Sequence, residues 1–366
     1  RSLTAFLTSV LMSAAIVSLL GRAWRGESPA VAEALSVAAR RGVAVVGTSI
    51  LAGLGILGAP LLIVVVAGVA LATAFALLIT HLVLLVSNDR ALRAVAVAPA
   101  RAGSSISNIS GPLGDAIAGG GRSDDERQSS AGEIGAALTV VGTVALGLAL
   151  VARAIVVGRG PWGNLYEFSI AFAFGICAAT IAFDRGGRLR ALSVIAVGVS
   201  LGLLGYAATL PNEVVALVPA LQHPLLLTIH VGLAMLSYGI FAFAFAAGVA
   251  YLAQGEHNRF RWLPPAKRLD QVAFQAVAIG FPLFAGMLIL GSIWASIAWS
   301  RYWGWDPKET AALATWLVYA VYLHARSQRG WQGRPAAILL VIGFGSVLLT
   351  YSGNLWFSGL HTYSGL

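Results

Sequence analysis

Hydrophobic residues in this chain do not alternate with polar ones at a helical or strand period. They come in long runs separated by short polar breaks. Ten apolar segments stand out, at 3–20, 42–57, 60–87, 135–157, 165–183, 189–208, 226–252, 272–297, 309–327 and 335–353. Most reach the ~20 residues a helix needs to cross the hydrocarbon of a bilayer. A backbone in lipid must satisfy its own hydrogen bonds, so runs of this length predict helices. The second segment is short, and only Gly58, Ala59 and Pro60 part it from the third. That pair is two spans or one re-entrant element. The predicted fold is all-α: a polytopic transmembrane bundle of about ten spans.

Residues 88–134 break the pattern, being rich in Gly, Ser, Arg and Asp without periodicity. They predict a flexible cytoplasmic linker. On that reading 1–87 is an N-terminal membrane module of about three helices, and 135–366 is the membrane core.

Composition agrees. The 366 residues are 58% hydrophobic and 11% charged, which excludes a soluble domain. The formal charge of +9 by itself suits a nucleic-acid partner, but its distribution does not. Nineteen of the 24 Lys and Arg residues lie on alternate connections: 21–41, 88–134, 184–190, 255–268 and 326–334. This is the positive-inside pattern, with those connections cytoplasmic and no nucleic acid called for. Loops 158–164, 209–225 and 298–308 and the tail from 354 then face outward, as do both termini. One cysteine, Cys177, provides no CxxC pair and no CxxCH haem attachment motif.

Candidate chemistry concentrates in an outward loop. Trp294, Trp299, Trp303 and Trp305 fall within twelve residues, followed by Asp306-Pro307-Lys308-Glu309-Thr310. An indole offers a broad π face with one N–H donor, so the cluster suits a large flat apolar ligand. Tryptophans also gather at membrane interfaces in any multi-span protein. Asp at the N-cap, Pro at the first helical position and Glu at N3 make a good helix start. Asn164 and Glu167 form a similar start in Gly160–Phe168, with Arg159 an expected partner for Glu167.

The topology sorts six histidines. His230 lies near the outer end of segment seven. His361 lies beyond segment ten, on the same face. His81 and His324 lie inside spans, both towards the cytoplasmic end, where a buried imidazole must find a partner. His223 precedes Pro224 at a helix start. His257 sits in a basic cytoplasmic loop.

The run WxxxxWxxxWxWDPKE resembles the tryptophan-rich haem-handling signature of the CcsA/ResC family of cytochrome c biogenesis proteins. Gly160–Phe168 is similar to the family's PxxNLYE stretch. The resemblance is strong across 135–366, about two thirds of the chain; at His223 the family more often has Ser. It implies the haem-handling subunit of a cytochrome c synthase in a plasma or thylakoid-type membrane. His230 and His361 fall on the family's outer axial-ligand positions for haem b. His324 matches its membrane-buried histidine, and His81 is loosely similar to an early one. Trp294, Trp299, Trp303, Trp305 and Asp306 would form the presenting loop, with Arg301 and Lys308 facing the propionates. The implied partners are a CcsB/ResB-type membrane subunit and an apocytochrome c whose CxxCH thiols add to the haem vinyl groups, a lyase activity. Two other readings stay open: a bis-histidine b-type electron carrier across the membrane, and a haem-free transporter or structural subunit.

Overall fold

The computed structural model describes residues 59–102, 130–213, 224–328, 330–353 and 356–361. These residues form eight helices: α1 (Ala59–Ala102), α2 (Ser130–Val157), α3 (Leu165–Phe183), α4 (Arg190–Ala207), α5 (Pro224–Gln254), α6 (Ala266–Trp299), α7 (Pro307–Gln328) and α8 (Arg334–Ser352). Each coincides with one of the last eight apolar segments. The first two segments lie outside the described residues. Helix α1 continues to Ala102 and α2 begins at Ser130, so both ends of the stretch expected to be a linker are helical.

Seven of the eight helices are long and apolar enough to cross a membrane, which makes this a multi-pass membrane protein. The eighth, α7, is less apolar, with Glu309 in its first turn and Arg326 in its last. Its buried positions are Ala312, Thr315, Tyr319, Tyr322 and Ala325, at three- and four-residue spacing. Ala314, Leu317, Val321 and His324 form the opposite, exposed stripe.

Helix ends carry their own chemistry. Asn164 caps α3 by accepting the Glu167 N–H at 2.9 Å. Glu167 is fully buried and is neutralised from two sides, by Arg153 at 2.9 Å and Arg159 at 3.1 Å. It also accepts the Gly163 N–H at 2.7 Å. The Arg159 partnership matches expectation; Arg153 comes from the preceding helix. At the other end of the bundle Arg326 of α7 grips Asp270 of α6 through two hydrogen bonds, 2.7 and 2.6 Å long. Gln254 turns the chain from α5 into α6 by donating to the carbonyls of Phe260, Leu263 and Pro264 and accepting the Phe260 N–H.

Helix α5 is central, packing on α3, α4, α6 and α8; α1 packs on α2 and α4, and α7 on α6 and α8. At the α3–α5 crossing the backbones touch: a Cβ on Gly175 would lie 2.5 Å from the Met235 carbonyl oxygen, and one on Gly239 would strike Gly175. Small residues permit such an approach, and van der Waals packing holds it where lipid offers no hydrophobic drive.

Gly239→Ala should therefore force α3 and α5 apart at a cost of about 1–3 kcal/mol. Its melting temperature in detergent should fall. Gly202→Ala, which has open space around it, should melt like the parent protein.

Candidate functional site

Five helix ends converge at one end of the bundle: the starts of α3, α5 and α7 and the finishes of α6 and α8. Their side chains line a cavity with an empty volume of about 1000 Å³. His230, His361, Trp294, Trp299, Trp303 and Lys308 all face it. Six of the residues singled out in the sequence are thus gathered around one space.

His230 stands nearly two turns into α5. Its Nδ1 lies 2.8 Å from the Met287 carbonyl oxygen of α6. A helical carbonyl is normally covered by the side chain one turn on. Here that residue is Gly291, and a Cβ there would lie 2.6 Å from His230 Cε1. The bond to a carbonyl requires the proton on Nδ1, which leaves the Nε2 lone pair free. The ring stacks on Trp294 at 6.3 Å, 16° from parallel.

His361 reaches the cavity from beyond α8. Its Nδ1 lies 2.7 Å from Asp306 Oδ1, so the ring proton sits on Nδ1 and Nε2 is the unprotonated nitrogen. It touches Trp294 and Trp299, with centroids 5.8 and 4.9 Å away. Both imidazoles therefore meet the same indole.

Asp306 is buried behind His361. Its carboxylate also accepts the Lys308 N–H at 2.9 Å, capping α7, and the N–H of Leu360. Burial pushes its pKa up, but the hydrogen bond and charge of His361 and the two backbone N–H donors outweigh this and hold it at about 2. Burial pulls the His361 imidazole below its ordinary value, and Asp306 offsets only part of that. Burial likewise lowers the Lys308 ammonium to about 8 against the pull of Asp306. Lys308 lies over the Phe168 ring at 5.3 Å.

Glu309 Oε2 accepts the N–H groups of Gly304 and Asp306, 2.8 and 3.2 Å away. This clamp brackets Trp305, which has φ 53°, a conformation a bulky residue adopts only when its surroundings dictate it. The result turns Trp305 outward, 69% exposed. Trp294, Trp299, Trp303 and Lys308 of the expected loop line the cavity; Arg301, Trp305 and Asp306 do not.

His81 is buried where α1 meets α2, its ring against Gly132. His324 lies on the exposed stripe of α7. Among the described residues, α1 packs chiefly on α2 and α4, and α7 on α6 and α8. His223 lies outside the described residues, and His257 is exposed.

Several wall residues escaped the sequence reading: Trp162, Phe168, Met235, Tyr238, Met287 and Tyr351. Trp162 donates its indole N–H to Thr228 at 3.2 Å, so the Gly160–Phe168 stretch builds a wall as well as a helix start. The methionines could not be told from lipid-facing apolar residues.

Fold and site thus define a multi-pass helical membrane protein with two oriented imidazoles on an indole-lined cavity at one end of the bundle. Residues 162–361 match the Cytochrome C assembly protein family, to which the chain belongs. Similar proteins include cytochrome c biogenesis protein CcsA of Synechococcus elongatus, 34% identical over 283 residues, covering 63% of this chain and 87% of the relative. The same-named protein of Gloeothece citriformis is 33% identical over 286 residues, with the same coverage. That of Synechocystis is 34% identical over 275 residues, covering 58% and 82%.

The Lys308 ammonium loses its proton at about 8 in the fold against 10.5 when free. The unfolded chain then binds more protons between those values, so stability should rise with pH across that window. Lys308→Met should abolish this rise and melt higher than the parent at pH 7, as thermal unfolding in detergent at graded pH will read.

Proposed function

We propose that this chain is the haem-handling subunit of a membrane cytochrome c synthase, presenting haem b on the extracytoplasmic side for attachment to an apocytochrome c. The observation that carries the reading is the matched pair of imidazoles. Each has Nδ1 committed to an acceptor, which leaves Nε2 unprotonated, and both border one apolar cavity. This is the donor set an axially ligated haem iron requires, with acceptors behind each ring that fix its tautomer and raise its basicity. The lining fits a porphyrin: indole, methionine and tyrosine side chains for the macrocycle, and Lys308 as a cation for a propionate. Arg301, on the exposed side of the same loop, serves the other.

Family membership supports a role in cytochrome c maturation; the assignment of individual ligands rests on the geometry. In the reaction each CxxCH thiol adds across a vinyl group of the haem substrate, sulfur to one carbon and hydrogen to the other, giving two thioethers. This chain holds the substrate in place and keeps bulk water from its iron. Trp294, Trp299, Trp303, Trp305 and Asp306 form the presenting loop. A CcsB/ResB-type membrane subunit is the partner with which the lyase activity arises. The concentration of basic residues at the opposite end of the bundle supports an outward cavity, with ten spans and both termini extracytoplasmic.

His81 and His324 are assigned to an inner haem site near the cytoplasmic face. His324 opens towards lipid, from which an apolar porphyrin would arrive.

Haem content by pyridine haemochrome, with maturation of a reporter cytochrome c, tests this. His230→Ala and His361→Ala should each lose the same fraction of bound haem and stop maturation, while His324→Ala and His81→Ala lose a different fraction. Asp306→Asn should weaken haem retention roughly 10–100-fold. Reversing the charge of Arg301 and Lys308 should lower retention further. Unchanged haem and maturation in His230→Ala and His361→Ala would refute the outer-site assignment.

A further inference from the structure

The buried face of α7 carries polar chemistry that the cavity does not use. Below Ala312, which lines the cavity, come Thr315, Tyr319, Tyr322 and then Arg326. From Ala312 to Arg326 is about 20 Å of helix. Thr315, Tyr319 and Tyr322 are at most 1% exposed.

Polar residues inside a membrane bundle face one another or a hydrated interior, and each needs a partner. The ends of this column have theirs. At the outer end Thr315 Oγ1 and Thr350 Oγ1 share a hydrogen bond of 3.0 Å, and Thr350 faces the cavity. Beside it Tyr351 Oη bonds Ser169 at 2.6 Å. At the inner end, one turn beyond Tyr322, Arg326 is joined to Asp270 through two hydrogen bonds.

The middle is different. Among the described residues, the Tyr319 and Tyr322 hydroxyls and the neighbouring Trp316 indole N–H are buried without a protein hydrogen-bond partner. Tyr319 is held in this position by its stack on Phe241, with centroids 3.7 Å apart, and by Gly343, where a Cβ would lie 2.8 Å from its ring. Phenylalanine would fill either tyrosine site equally well. A tyrosine hydroxyl in the hydrocarbon layer costs free energy unless something polar meets it. Aligned hydroxyls that both donate and accept are what internal water molecules bind.

We propose that the inward face of α7 is a hydrated proton relay, running from the Asp270–Arg326 pair through Tyr322 and Tyr319 to Thr315 and Thr350 at the cavity floor. Its ligand is water. It gives groups at the floor of the outer cavity proton exchange with the opposite side of the membrane.

The test uses the full chain, haem-free so that the cavity end is open. Hydroxyl-radical footprinting in nanodiscs should label Tyr319 and Tyr322 at rates near that of exposed Tyr302. Phe172 and Phe243, equally buried, should stay unlabelled. In proteoliposomes with a pH-sensitive dye inside, an imposed pH gradient should decay several-fold more slowly for the Tyr319→Phe/Tyr322→Phe double variant than for the parent. Each replacement removes one oxygen, and an unchanged melting temperature confirms the fold. Protection of both tyrosines to the level of Phe172 would overturn the proposal. So would an unchanged gradient decay in the double variant.

Discussion

One carboxylate ties the cavity end of this molecule together. Asp306 accepts the backbone N–H of Lys308, the backbone N–H of Leu360 and the ring nitrogen of His361. The first bond starts α7, the second docks the segment after α8, and the third orients an imidazole. Two parts of the chain, more than fifty residues apart, are registered on two oxygens. Charge-assisted bonds to a buried acceptor are the strong kind, and a carboxylate held at about 2 stays ionised at any physiological pH. Glu309 supports it from the other side by accepting the Asp306 N–H, completing a capping box.

The two histidines reach the cavity by different routes to the same electronic state. His230 rides on a helix and borrows a main-chain carbonyl that Gly291 leaves uncovered. His361 rides on a terminal segment and relies on a side chain. A carbonyl on a rigid helix fixes position; a carboxylate adds basicity to the ring it holds. The shared consequence is an unprotonated Nε2 on each, with Trp294 against both rings. A planar ligand bound between such groups would be fixed by geometry rather than by extensive polar contact.

Much of this was legible in the sequence, for identifiable reasons. Apolar runs mark helices in lipid because no other open structure satisfies the backbone there, and eight segments became eight helices. Asn164 and Asp306 were readable as caps because capping is local, three residues at a time. The convergence of His230, His361 and the tryptophan loop followed from topology, since alternate connections share a face. What was hidden is lateral. Depth in the bilayer says nothing about which helices are neighbours, so His81 and His324 matched in depth while α1 and α7 took different principal partners. The second partner of Glu167, Arg153, lies on another helix and left no local trace. Trp305 read as part of the floor, but the Glu309 clamp on either side of it turns the side chain outward.

The central claim is that the imidazoles of His230 and His361 are the two axial ligands of one haem iron. Low-temperature electron paramagnetic resonance of the oxidised, purified protein tests it most directly. The account predicts a low-spin bis-imidazole signal in the parent whose outer-site fraction both His230→Ala and His361→Ala convert to high spin, with added imidazole restoring it in each. A low-spin signal that survives both substitutions intact would contradict it.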